Sequence, residues 1–238
     1  MSISTHNSAG LKPEVRSPET MYGLVKAMGI VPFFENSVPG WSVEEHTPAD
    51  CWFTEDNLGP WDWKIEVVRS GDIAYGKFLG ACKAAFATVD WYRELRNYRL
   101  SLPKCRPDTA GQAILDFVRE HGSISIREVR QLLGVKKSAA DAAIAKLQWQ
   151  TRLVTGDLLR VNRGPDLHYN GWQTASFCTP DSLFCTEGDF VGLAGFPGDG
   201  LRSLDVDHSP EESLQRLVAC VQESLPNANP KTIMKLLL

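Results

Sequence analysis

The 238-residue chain carries 25 Lys or Arg against 29 Asp or Glu, a formal net charge of −4, with 43% hydrophobic and 23% charged residues. These are the proportions of a globular chain with a sizeable core, and they argue against a disordered polyelectrolyte or a uniformly basic coat for nucleic acid. No run of about 18 apolar residues occurs, so no membrane partner is expected. The polar start 1–8 lacks the basic and apolar parts of an export signal, so the expected compartment is the cytoplasm.

Residues 1–16 are polar, hold Gly and Pro and show no period, which reads as a flexible arm. Ser17-Pro18-Glu19-Thr20 supplies a cap and an N1 proline, and Met21, Leu24, Val25 and Met28 line one face of a helix ended by Gly29. From 30 to 99 the pattern changes to short β-prone runs. Strands are expected at 41–45, 51–54, 64–70, 73–78 and 84–88, followed by a helix from Asp90 to about Tyr98. Residues 17–107 thus read as a Trp-rich α+β domain, an antiparallel sheet with flanking helices, closed by a linker with Pro103 and Pro107. Its tryptophans read first as core; Trp61 and Trp63, beside the Gly59-Pro60 turn, are candidates for base stacking. Glu44, Glu45, His46 and Asp50 read first as a solvated turn, and as an acid/base group only if their environments differ.

Residues 108–180 have the element order of a winged helix-turn-helix. Asp108 can cap a helix with Ile114, Phe117 and Val118 on one face, and Ser125 with Glu128 forms a capping box before Val129, Leu132 and Leu133. After the turn at Gly134, Ser138 is a cap candidate for a third helix carrying Ala143, Ile144 and Leu147. Two β-rich runs, 151–161 and 169–178, flank a turn at 162–166 and would form the wing. Residues 109–180 hold nine Lys or Arg against six Asp or Glu, the one clearly basic segment. Lys136, Lys137, Ser138, Lys146, Arg152 and Arg163 are the candidate contacts to a DNA partner.

Residues 181–238 form an acidic tail with a glycine-rich loop at 187–200, which has neither a Walker lysine nor a dinucleotide fingerprint. Helices are expected from Ser209-Pro210 to about Ser224 and after Asn229-Pro230, folded against the body or pairing two copies as a homodimer. Six cysteines, at 51, 82, 105, 178, 185 and 220, have no zinc spacing and read as thiols, so neither a metal nor another cofactor is expected.

At Gln148-Trp149-Gln150 the chain resembles the winged-helix DNA glycosylases of the AlkZ type, whose active site is marked by Gln, an apolar residue, then Gln or Asp. Together with 33–37, 42–47 and 59–63 the run is similar to an uncharacterised bacterial set of AlkZ-related proteins. The resemblance implies that Gln148 and Gln150 are catalytic, placing the water that attacks the sugar carbon as an alkylated purine leaves, with Trp149 or the Trp61/Trp63 pair facing the extruded nucleotide. This chain is shorter than those glycosylases and shows one winged helix where they have several. Three readings stay open: DNA binding without catalysis, glycosylase activity, and a protein-interaction winged helix.

Overall fold

The computed structural model describes residues 14–54, 58–185 and 203–238. The expected glycine-rich loop lies outside the described residues. In α1 (Pro18–Met28) the Ser17 and Thr20 side chains exchange bonds across the first turn, and Met21, Leu24, Val25 and Met28 are buried. The expected loose arm does not extend to its end, because Val15 is fully buried and its N–H donates to His46 O at 2.8 Å.

Three of the five strands expected in the first half are absent. At 41–45 the chain forms one helical turn, α2 (Val43–His46), because Ser42 Oγ accepts from Glu45 N and competes with a ladder. A 3₁₀ turn, Ala49–Cys51, and a bend stand at 51–54. The β-branched run at 64–70 belongs to α3 (Pro60–Arg69), where proline at N1 starts the helix and Trp63, Lys64, Val67 and Val68 repeat at helical spacing on its buried side. Gly59 ahead of it has φ +60°, and a Cβ there would stand 1.9 Å from Cys51 O.

The two remaining strands exist, as β2 (Ile73–Leu79) and β3 (Lys83–Thr88), and the unforeseen β1 (Ile30–Pro32) joins them in an antiparallel sheet ordered β1-β3-β2. α4 (Val89–Ser101) follows. The second half runs α5 (Thr109–His121), β4 (Ile124–Ser125), α6 (Ile126–Leu133), α7 (Lys137–Trp149), β5 (Val154–Arg163) and β6 (His168–Cys178), with a second antiparallel sheet ordered β4-β6-β5. The chain is therefore α+β, with two three-stranded antiparallel sheets and flanking helices.

Two apolar cores result. The smaller gathers Ile114, Val118, Val129, Ile144 and Leu147 from α5, α6 and α7 against Phe177 of β6. The larger fills the first half and reaches Val154 and Leu158 of β5, so the two halves share a strand. After α8 (Pro180–Phe184), α9 (Pro210–Ser224) and α10 (Pro230–Leu237) return to the larger core, where Leu217, Ile233 and Leu237 are fully buried. Buried Arg99 fastens this junction by donating to the carbonyls of Phe78, Trp149 and, at 2.7 Å, Leu237.

Candidate functional site

A cavity of about 580 Å³ lies where the two halves meet. α3 supplies Lys64, β2 supplies Tyr75 and Lys77, and β5 and β6 supply Thr155 and Gln173. The N-terminal ends of α6 and α7 supply Arg127, Lys137 and Asp141, and the last turn of α7 supplies Gln148. Four basic residues thus line the cavity against one carboxylate. Asp141 is itself paired with Lys137 at 3.3 Å.

The two amides of the Gln-Trp-Gln run are not brought together. Gln148 is 2% exposed; its Nε2 donates to Thr155 Oγ1 at 3.1 Å and its Oε1 accepts from Lys77 N at 3.3 Å, fixing the amide in the cavity wall. This contact is close enough that a Cβ on Gly76 would lie 2.8 Å from Gln148 Nε2. Gln150 is fully buried on another side of α7, where Nε2 donates to the carbonyls of Lys104 and Arg106, each at 3.3 Å. Trp149 faces that side too, under Arg99 and Lys104. Thr151, which follows, holds φ +56°, a strained value for a β-branched residue.

The remaining predicted residues are dispersed. Lys136, Lys137 and Ser138 are exposed at the start of α7, but Ser138 is not its cap. Lys136 occupies that position without a side-chain bond, and the helix begins one residue before the expected serine. The first amides of α7 therefore have no side-chain acceptor, an arrangement suited to an anion. Lys146 is tied to Asp108 at 2.7 Å, Arg152 is half-buried, and Arg163 lies over Trp172 on the hairpin. Trp63 is buried in the core. Trp61 stands behind the cavity wall, bonded through Nε1 to Gly171 O at 2.8 Å.

Lys64 was not foreseen. Its residue is 3% exposed, and its Nζ lies 3.1 Å from the centroid of the Trp61 ring and 5.7 Å from that of Phe33. Burial pushes its ammonium down to about 7, opposed by Asp62. Burial also holds the Tyr75 phenol above its ordinary range, so it stays protonated. The signal in the sequence is a lysine on the apolar face of a helix, masked by the strand propensity of the β-branched residues that follow it.

The early carboxylates do local structural work. Glu44 accepts from Glu35 N at 2.7 Å, Glu45 from Gly40 N at 2.6 Å, and Asp50 pairs with Arg16 at 3.3 Å. A second polar cluster joins α4 to α9: Ser213 Oγ and His208 Nε2 both bond Glu94 Oε2, at 2.5 and 2.7 Å. The hydroxyl there is spent on the carboxylate and fully buried, so the trio fastens helices rather than presenting a nucleophile.

A family model described as AlkZ related matches residues 15–238. The chain belongs to the AlkZ-related family. No curated protein and no solved structure matches it. Among the described residues of this AlkZ-related protein, no group of three or more His, Cys, Asp or Glu is placed to hold a metal ion, and no helix is long and apolar enough to cross a membrane.

Proposed function

We propose that this AlkZ-related protein binds duplex DNA through a winged helix-turn-helix formed by residues 108–180, and receives a nucleotide rotated out of the stack in the adjoining cavity. The observation that carries this reading is the cavity wall itself, with Lys64, Lys77, Arg127 and Lys137 set against Asp141 alone and reaching the N-terminal ends of two helices. Phosphate groups are drawn to such a wall by charge and by the first amides of α7, which no side chain caps. Helix, short strand, two helices joined by a turn at Gly134, and a hairpin is the element order of a winged helix, in which the second helix of the pair addresses the groove. Family membership supports a link to DNA repair.

The volume supports the same reading, since about 580 Å³ accommodates a nucleoside. Extrusion costs a few kcal/mol for a paired base and less for a damaged one, so the expected ligand is a duplex with a weakened base pair. The test is binding of a duplex carrying 2-aminopurine opposite a mismatch. Retention that falls with salt, brightening of the base on binding, and a loss of at least tenfold in Arg127→Ala/Lys137→Ala are expected. Retention of neither matched nor mismatched duplex at low salt would leave the 108–180 segment as a protein-interaction module.

A second reading, removal of an N-alkylated purine, is favoured by the fixed orientation of Gln148, which presents an amide to the cavity from two anchoring bonds. One amide then places the water and Gln150 acts only by holding the end of α7. Release of 7-methylguanine from alkylated duplex by the wild type, abolished in Gln148→Ala, is the outcome that reading requires.

A further inference from the structure

Lys64 has an arrangement that structural lysines avoid. A lysine that is 3% exposed normally keeps a carboxylate beside it. Here the neighbouring carboxylates are engaged elsewhere. Asp62 accepts from Gln173 Nε2 at 3.1 Å and pairs with Arg160 at 3.2 Å, and Asp141 pairs with Lys137. Among the described residues Lys64 Nζ has ring faces for neighbours and the cavity before it. An amine held out of water, with no carboxylate bonded to it among the described residues, is in the state that reacts with carbonyl carbon.

We propose that Lys64 is the nucleophile of the cavity, condensing with the aldehyde carbon of a phosphate-bearing, ring-opened deoxyribose to form a covalent imine. The identity of the sugar rests on the DNA reading above; the reactivity of the amine does not. The neutral amine gives its lone pair to C1′, the carbonyl oxygen takes up a proton, and loss of one water from the carbinolamine leaves a C=N bond between Nζ and C1′. Nothing is oxidised or reduced in this step. The other cationic groups on the wall, Lys77, Arg127 and Lys137, suit the sugar's phosphate, and a sugar that has lost its base is the form of nucleotide that exposes an aldehyde. Desolvation keeps much of the Lys64 amine unprotonated at neutral pH, which an exposed lysine is not.

The experiment is reductive trapping with borohydride, using two probes: a duplex with one abasic site, and free 2-deoxyribose 5-phosphate. The expected result is an adduct mapped by peptide mass to Lys64 and lost in both Lys64→Met and Lys64→Arg. Its formation rate should climb to a plateau above about pH 7, the value to which burial brings the amine. Lys64→Met removes a buried charge, so it is expected to stay folded, and its melting curve is the control. No adduct with either probe, or an undiminished adduct in Lys64→Met, overturns the proposal. Retention of intact duplex is measured in parallel. Retention without any adduct removes this inference alone, whereas a Lys64 adduct on the free sugar phosphate without retention supports the lysine chemistry and removes the DNA reading.

Discussion

Gln148 and Gln150, two residues apart, spend their amides on different parts of the molecule: Gln148 on Thr155 and Lys77 in the cavity wall, Gln150 on the carbonyls of Lys104 and Arg106. Gln148 is the last residue but one of α7 and Gln150 is its C-cap, where a rotation of about 200° separates i from i+2. Substitutions should therefore divide. Gln150→Ala strands two carbonyls of the linker and is expected to cost about 1–3 kcal/mol in denaturant unfolding with little change in ligand binding. Gln148→Ala is expected to change binding or base release at least tenfold while the melting temperature moves less than in Gln150→Ala.

Gly76→Ala tests the same wall from the other side. The added methyl would lie 2.8 Å from Gln148 Nε2 and 2.7 Å from the Phe78 ring. Because Gln148 is the more movable neighbour, loss of ligand binding is expected to exceed loss of stability, measured by titration and thermal melting of the same preparation.

Arg99 is fully buried and its guanidinium serves carbonyls from β2, α7 and α10. Arg99→Met keeps the aliphatic volume but removes every donor, leaving buried carbonyls unpaired. A destabilisation of about 3–5 kcal/mol is expected, with hydrogen exchange accelerating in α10 and at the end of α7 together.

Lys64 makes stability rise with alkali. Its native pKa of about 7 lies below the ordinary 10.5, so between these values the unfolded chain binds more protons than the native one, and unfolding becomes harder as pH rises. Integrated over that window the effect is on the order of 5 kcal/mol. Lys64→Met should be more stable than wild type at pH 7 and should flatten the dependence of the unfolding midpoint between pH 7 and 10. A wild-type profile that falls across this range in the same proportion as the variant's would contradict the burial of a charge here.

His208 has the opposite sign. Its bond to Glu94 raises its pKa above 6.5, helped by its bond to Asp207 and opposed by burial and, less, by Arg216. That stability is fully present below pH 6.5 and is lost as pH rises through the raised native value. His208→Gln should remove this component, read as a smaller drop in melting temperature from pH 6 to pH 8, with α9 loosening against α4 in the wild type at the upper end.

The second half of the fold was legible because its signals are local. Ser125, Gly134 and the two β-rich runs around the turn at 162–166 each specify their element without help from distant residues. In the first half, local preference and tertiary packing disagree. Ile65, Val67 and Val68 favour a strand by propensity, yet Pro60 and the face they share with Trp63 and Lys64 put them in a helix. That conflict conceals the site, because only a helix sets Lys64 among apolar residues and turns it toward the cavity it shares with β2. The basic start of α7 was visible in the composition. Its missing cap was not, since Ser138 is the stronger capping residue by type and only the backbone path selects Lys136.

The β5–β6 hairpin is strapped to α3 at several points: Trp61 Nε1 to Gly171 O, Gln173 Nε2 to Trp61 O, and Tyr169 to Asp62. Trp61 is thus held by the hairpin at both its indole and its carbonyl, so the hairpin sets the floor on which the Lys64 amine rests.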